Sequence, residues 1–159
     1  MEKVVRHIIP ILFAATSILC FVCGIHIQRT EAFAEQSMVL YQFCHVNIWH
    51  VLANLACLYT IASSTFRTSW HTWLAAYVIS AFVPCMSPTE GMSGLLYALM
   101  GIISWQAADT RKFHLWCIGF MGICFLFPHT VNGWLHVFCY LAGVMYGLAT
   151  VIYKLEFKK

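Results

Sequence analysis

Gly91-Met92-Ser93-Gly94-Leu95-Leu96-Tyr97-Ala98-Leu99-Met100-Gly101 is a stretch without a single charge. Gly94, Ala98 and Gly101 fall at i, i+4 and i+7, which on a helix forms one smooth stripe of small residues. Ser93 and Tyr97, also four apart, line the adjoining face. Such a stripe lets a second helix backbone approach closely. A partner is at hand in His136, Cys139, Gly143, Gly147 and Thr150, where small residues recur at similar spacing along another apolar run. If the two stripes meet, a serine hydroxyl and an imidazole are drawn toward each other.

The rest of the chain points to lipid as the solvent. Apolar residues make up 61% of the 159 residues and charged ones only 9%, against roughly 25% charged in soluble domains. A core of this size could not bury so much apolar surface. The net charge of +3 is small and dispersed, which speaks against nucleic acid. The fold class expected is therefore an all-α membrane protein in one domain over residues 1–159. Six apolar runs stand out: Ile8–Ile27, Ile48–Phe66, Trp70–Met86, Met92–Gln106, Phe113–Phe127 and Trp134–Tyr153. Crossing a hydrocarbon core takes about 20 helical residues. The first, second and sixth runs meet that length, the third nearly does, and the fourth and fifth are short. A short helix among longer ones starts below the membrane surface and leaves a wet hollow above its end. Ser93 lies at such an end.

Basic residues set the orientation. With both termini cytoplasmic, Lys3, Arg6, Arg67, Arg111, Lys112, Lys154, Lys158 and Lys159 lie inside and Arg29 alone lies outside, as the positive-inside rule requires. The second, fourth and sixth runs then all begin on the exterior side. His45, His50, Asn54, Ser93 and His136 come to one level. The start of the chain also reads as a basic n-region and apolar h-region, with a cleavage-like Ala32-Phe33-Ala34. The first run is long for an h-region of 7–15 residues, which favours a retained helix. The connection Gln28–Asn47 mixes Glu31 and Glu35 with Met38-Val39-Leu40-Tyr41, as expected of a loop dipping partly into the interface. Of eight cysteines, six fall in apolar runs and read as small buried hydrophobes. Cys44 and Cys85 lie near the predicted outer face, where a bridge between them stays open.

Serine is a poor nucleophile until a base takes its proton, and His136 is the base at matching depth. His50 and Asn54 share a helix face four residues apart, with His45 about a turn further out. An imidazole N–H, an amide and the Ser93 backbone N–H at a helix start could hold the oxyanion of an acyl transfer. Each motif alone has a plainer reading. Ser93 could be a small packing residue, His136 a satisfied structural histidine, and His50 with Asn54 interhelical glue. Ionisable groups inside a membrane are expensive, which tilts the reading toward function.

Together, His45-x4-His50-x3-Asn54, the stretch from Gly91 to Gly101 and Asn132-x-Trp134-x-His136-x6-Gly143-x3-Gly147 resemble the rhomboid intramembrane serine proteases. The likeness runs from the second apolar run through the sixth, in order. It implies a six-helix rhomboid-like bundle that cleaves transmembrane segments of other membrane proteins in a lipid bilayer. In that likeness Ser93 is the nucleophile and His136 the general base of a dyad without an aspartate. His50, Asn54 and the Ser93 amide correspond to the oxyanion hole, His45 to a polar support, and Tyr97 to a residue packed on the imidazole. Gly91, Gly94, Gly143 and Gly147 are the motif glycines. No cofactor, metal or nucleic acid is implied. The compact form fits a multi-pass protein of a bacterial plasma membrane, and its oligomeric state is left open.

Two departures are visible. Cys139 replaces a small glycine of the family pattern, which predicts slightly wider spacing of the fourth and sixth runs. The first exterior loop lacks the family's Trp-Arg pair, which puts substrate access and loop anchoring in doubt. Two competing readings remain. One is a catalytically silent rhomboid-like protein that binds transmembrane clients, although silent members typically lose the serine or histidine kept here. The other is a haem or metal membrane protein using His26, His45, His129 and His136, although no histidine pair repeats its spacing on a partner helix.

Overall fold

A computed structural model describes residues 2–30, 35–128 and 131–157. The cleavage-like run Ala32-Phe33-Ala34, Glu31 and His129 lie outside the described residues. What is described is all-helical: α1 (Glu2–Val22), α2 (Glu35–Leu40), α3 (Ile48–Ser63), α4 (Trp70–Phe82), α5 (Ser93–Ile103), α6 (Thr110–Cys124) and α7 (Gly133–Phe157). Short 3-10 turns follow α2 at Tyr41–Phe43 and α5 at Ser104–Gln106.

Each of the six apolar runs carries a helix, but several helices are shorter than their runs. In α3, Ser64 Oγ donates to Ile61 O at the helix end, and Thr60 and Ser63 donate back to Ala56 and Tyr59 carbonyls. These local bonds compete with continued helix, so the second run gives 16 residues rather than a full span. In α4 a Ser69–Thr72 capping box starts a helix of 13 residues, and extended Val83 ends it. Gly133–Glu156 is long and apolar enough to cross a membrane. Ser37–Phe43 and Ile48–Ser63 would pass that test as a pair but are bent by 88° at their junction. The connection read as a dipping loop is thus folded inward, burying Met38, Tyr41, Gln42, Cys44 and His45.

Helix α5 is the centre. Gly94 to Leu99 and Gly101 to Ile103 are all buried, and α7 is the helix it packs against most extensively. The small-residue stripes meet as the spacing suggested. A Cβ on Gly101 would collide with Tyr140 O, one on Gly143 with Ala98 O, and one on Gly147 would stand 2.7 Å from Ile102 O. Backbones in such contact gain dispersion along their whole length. The outer helices show the reverse pattern. On α6, Leu115, Trp116, Ile118, Phe120 and Ile123 are exposed, Trp116 by 70%. Large apolar side chains exposed along one helix mark a face that meets lipid or another protein.

Cys139 behaves differently from the sequence expectation. It is fully buried, and a Cβ on Gly94 would stand 3.4 Å from its sulfur, so the thiol fills a gap while α5 and α7 still close at Gly101 and Gly143. Neither Cys44 nor Cys85 is in a disulfide. The Cys44 thiol contacts Leu40 O and the Cys85 thiol donates to Ser87 O at 3.0 Å.

Two substitutions test the contact. Gly143→Leu is expected to destabilise by on the order of 3 kcal/mol. Cys139→Gly should cost about 1–2 kcal/mol through lost packing and added chain entropy. Thermal melts in detergent check both. A Gly143→Leu variant with wild-type stability contradicts the contact.

Candidate active site

Ser93 is the first residue of α5, so its N–H lies among the helix-start amides that lack an intrahelical acceptor. His136 lies one turn into α7, whose start is fixed by Asn132 Oδ1 accepting from Leu135 N at 3.0 Å. Because the two helices touch along their glycine stripes, Ser93 Oγ comes to 2.8 Å from His136 Nε2. His136 is buried, and the Tyr97 ring stacks on its imidazole at 4.4 Å and 24°. Its Nδ1 has no hydrogen-bond partner among the described residues. The ring is therefore oriented by an aromatic face and by the serine, with no carboxylate behind it.

Above Ser93 lies a cavity of about 340 Å³. It is lined by Gln28, Val46, His50, Ser87, Pro88, Thr89, Glu90, Ser93, Pro128, Val131 and Asn132. The polar share of this lining suits water and a peptide backbone. His50 reaches it by lying flat across Gly91. A Cβ there would stand 2.5 Å from His50 Cε1, and the backbone takes φ +119°. Only glycine supplies both the room and the conformation. Gly91 N also donates to Tyr41 O at 2.9 Å, which pins the turn entering α5.

His45 supports His50 at a ring distance of 5.1 Å, edge to face. Its Nδ1 donates to Phe43 O at 3.3 Å, while Nε2 has no partner among the described residues. Burial, and then the neighbouring His50, lower the His45 pKa to about 4 against the opposing pull of the Phe43 carbonyl. His45 is thus neutral at pH 7. Asn54 is brought near but not in. It is buried on α3, its amide donates to His50 O at 3.0 Å, and it is not among the residues lining the cavity. In this arrangement it holds the helix turn that carries His50.

Three features escaped the sequence. Arg29 is buried, with its guanidinium donating to Ser80 O in the last turn of α4 and to Val83 O just beyond it, and lying over the Tyr41 ring at 5.6 Å. Its backbone pairs with Thr89 in both directions at 2.9 Å. Arg29 therefore ties the segment after α1 to Thr89, one of the residues lining the cavity. Asn132 also donates to Ser87 O at 3.2 Å, tying α7 to the loop before Ser93. Glu90 is buried and pairs with His26 Nδ1 at 3.2 Å. None of the three shows in helical periodicity, since all lie in loops. A buried-charge argument applied to Arg29 and Glu90 in an apolar chain could have flagged two of them.

As for the metal reading, His26 is engaged by Glu90 and His136 by Ser93. Among the described residues no three His, Cys, Asp or Glu side chains converge as a metal site. No protein-family model, curated protein or solved structure matches the chain.

The neutral His45 gives a signed pH effect. A folded-state pKa of about 4, below the usual 6.5, contributes stability that is complete above pH 6.5 and lost as pH falls toward 4. Melting temperature in detergent should drop over that window, and less steeply in His45→Gln. Equal slopes for the two proteins would show that His45 is not buried as a neutral ring.

Proposed function

We propose that this chain is a rhomboid-like intramembrane serine endopeptidase. In this reading it is a six-helix membrane bundle with both termini cytoplasmic, cutting transmembrane segments of other proteins near the outer leaflet. The observation that carries the proposal is the 2.8 Å approach of Ser93 Oγ to His136 Nε2 across two helices, beneath a polar cavity in an otherwise apolar molecule. The exposed apolar faces of α1, α3, α6 and α7 support a lipid surround. The polar groups collect at the end of the bundle that the basic residues assign to the exterior.

The chemistry follows from the geometry. With its proton on Nδ1, His136 accepts the Ser93 hydroxyl proton at Nε2 as the oxygen attacks the scissile carbonyl. The tetrahedral oxyanion takes hydrogen bonds from the Ser93 N–H and from His50. His136 then returns the proton to the leaving amine. A water from the cavity, activated by the same imidazole, hydrolyses the acyl-enzyme. Tyr97 does for ring orientation what an aspartate does in a triad, without adding charge to a dry site. A serine whose only role was packing would not require a histidine 2.8 Å from its oxygen.

Covalent labelling tests the proposal without a known substrate. A fluorophosphonate or isocoumarin should modify wild-type protein in lipid at Ser93, and Ser93→Ala or His136→Ala should abolish the adduct. Folded wild-type protein that resists several probe classes yet still captures transmembrane partners would establish the silent client-binding alternative instead. His50→Ala should slow labelling or cleavage by ~10²–10³-fold, as expected for one oxyanion donor. Asn54→Ala should be milder, since one of its two amide N–H groups is engaged by the His50 carbonyl and the side chain does not line the cavity. Wild-type turnover in His50→Ala would remove it from the oxyanion hole.

A further inference from the structure

Glu90 is a buried carboxylate that the proposed mechanism does not use. It lies three residues before Ser93 and lines the same cavity. Its side chain is 2% exposed, a costly position for a charge without a strong partner. The partner it has is the imidazole of His26, 3.2 Å away on the segment after α1 and 54% exposed. The fixed cation in this region, Arg29, is turned to the carbonyls of Ser80 and Val83. The carboxylate is therefore matched by a weak and displaceable partner, beside a cavity that a substrate backbone must fill to reach Ser93.

We propose that Glu90 is the floor of a specificity subsite that receives a lysine or arginine side chain of the substrate next to the scissile bond. The bound ammonium or guanidinium replaces His26 on the carboxylate, and the half-exposed imidazole swings out to water. Gln28, which also lines the cavity, carries an amide oxygen able to accept from the remaining N–H groups of the incoming cation. The preferred clients are then membrane proteins whose exterior helix flank carries a basic residue within reach of the cut. An acidic residue at that place is rejected, because it would meet a buried like charge.

The inference rests on Ser93 being the nucleophile, and the test separates the two claims. Fluorophosphonate labelling of Ser93 is measured first. Designed transmembrane substrates are then cleaved in lipid, with lysine, methionine or glutamate placed in turn at each of the four residues on either side of the cut. Wild type should show one position where lysine raises kcat/KM by roughly tenfold over methionine, through KM, as a charge-assisted bond implies. Glu90→Gln should erase that advantage, and Glu90→Lys should transfer it to glutamate at the same position. His26→Ala, a change at the cavity rim, should enlarge the lysine advantage because the competing partner is gone. It carries the test if the Glu90 variants do not fold. Labelled, active protein with no lysine preference at any position, or with the preference intact in Glu90→Gln, overturns the subsite and leaves the protease reading standing. Wild type that is neither labelled nor active overturns both.

Discussion

Contact between two helix backbones governs the rest of this structure. Gly101, Gly143 and Gly147 leave no room for a side chain between α5 and α7, and the main chains touch there. That contact fixes the separation of the two helices at Ser93 and His136, about two turns away. The distance from Ser93 Oγ to His136 Nε2 is its consequence. A site built on rigid helices in this way is held more tightly than one built on loops. It also explains why α5 is buried almost throughout while α6 is not. α5 is the post against which α4 and α7 lean, and α6 is attached by scattered side-chain contacts. Among these are His114 with Tyr140 and Tyr97 with Cys124.

The site end of the bundle inverts the logic of the rest. Elsewhere polar groups are few and apolar faces look outward. Here the imidazoles of His26, His45, His50 and His136, the Glu90 carboxylate and the Arg29 guanidinium lie at one end of the bundle, with His50 and Glu90 lining the cavity. The loops that close it are tied down by backbone bonds, Gly91 to Tyr41 and Arg29 to Thr89, and by the Asn132 side-chain amide donating to Ser87 O. Three buried ring nitrogens, on His45, His50 and His136, have no partner among the described residues. Unpaired buried donors and acceptors cost free energy, and they concentrate where a substrate or water supplies the missing bond. The close packing of α5 on α7 offsets that cost at the other end of the molecule.

Much of this was legible in the sequence because helical periodicity carries it. The i, i+4, i+7 spacing of Gly94, Ala98 and Gly101 specified which face of α5 would meet α7. It also put Tyr97 within reach of the His136 ring. The helix ends were less legible, since Ser64 and Ser69 act through side-chain bonds to nearby backbone that hydropathy does not register. A further contact of Asn54 was not legible in the sequence. Sharing a face with His50 also allowed its amide to bond the His50 carbonyl one turn back. Cys139 was read by size alone, whereas its effect depends on the gap opposite Gly94. Arg29 and Glu90 belong to loops, where no period exists, and only the folded chain reveals what each one touches.

The most direct test of the account is peptide-bond cleavage itself. Purified protein is reconstituted in lipid vesicles with a panel of designed transmembrane substrates whose helices are weakened by Gly, Ala, Pro or Ser, and products are mapped by mass spectrometry. A discrete cut close to the exterior end of the substrate helix is expected, present in wild type and absent in Ser93→Ala. Cleavage that persists in Ser93→Ala, or folded wild-type protein that cuts nothing in the panel, would contradict it.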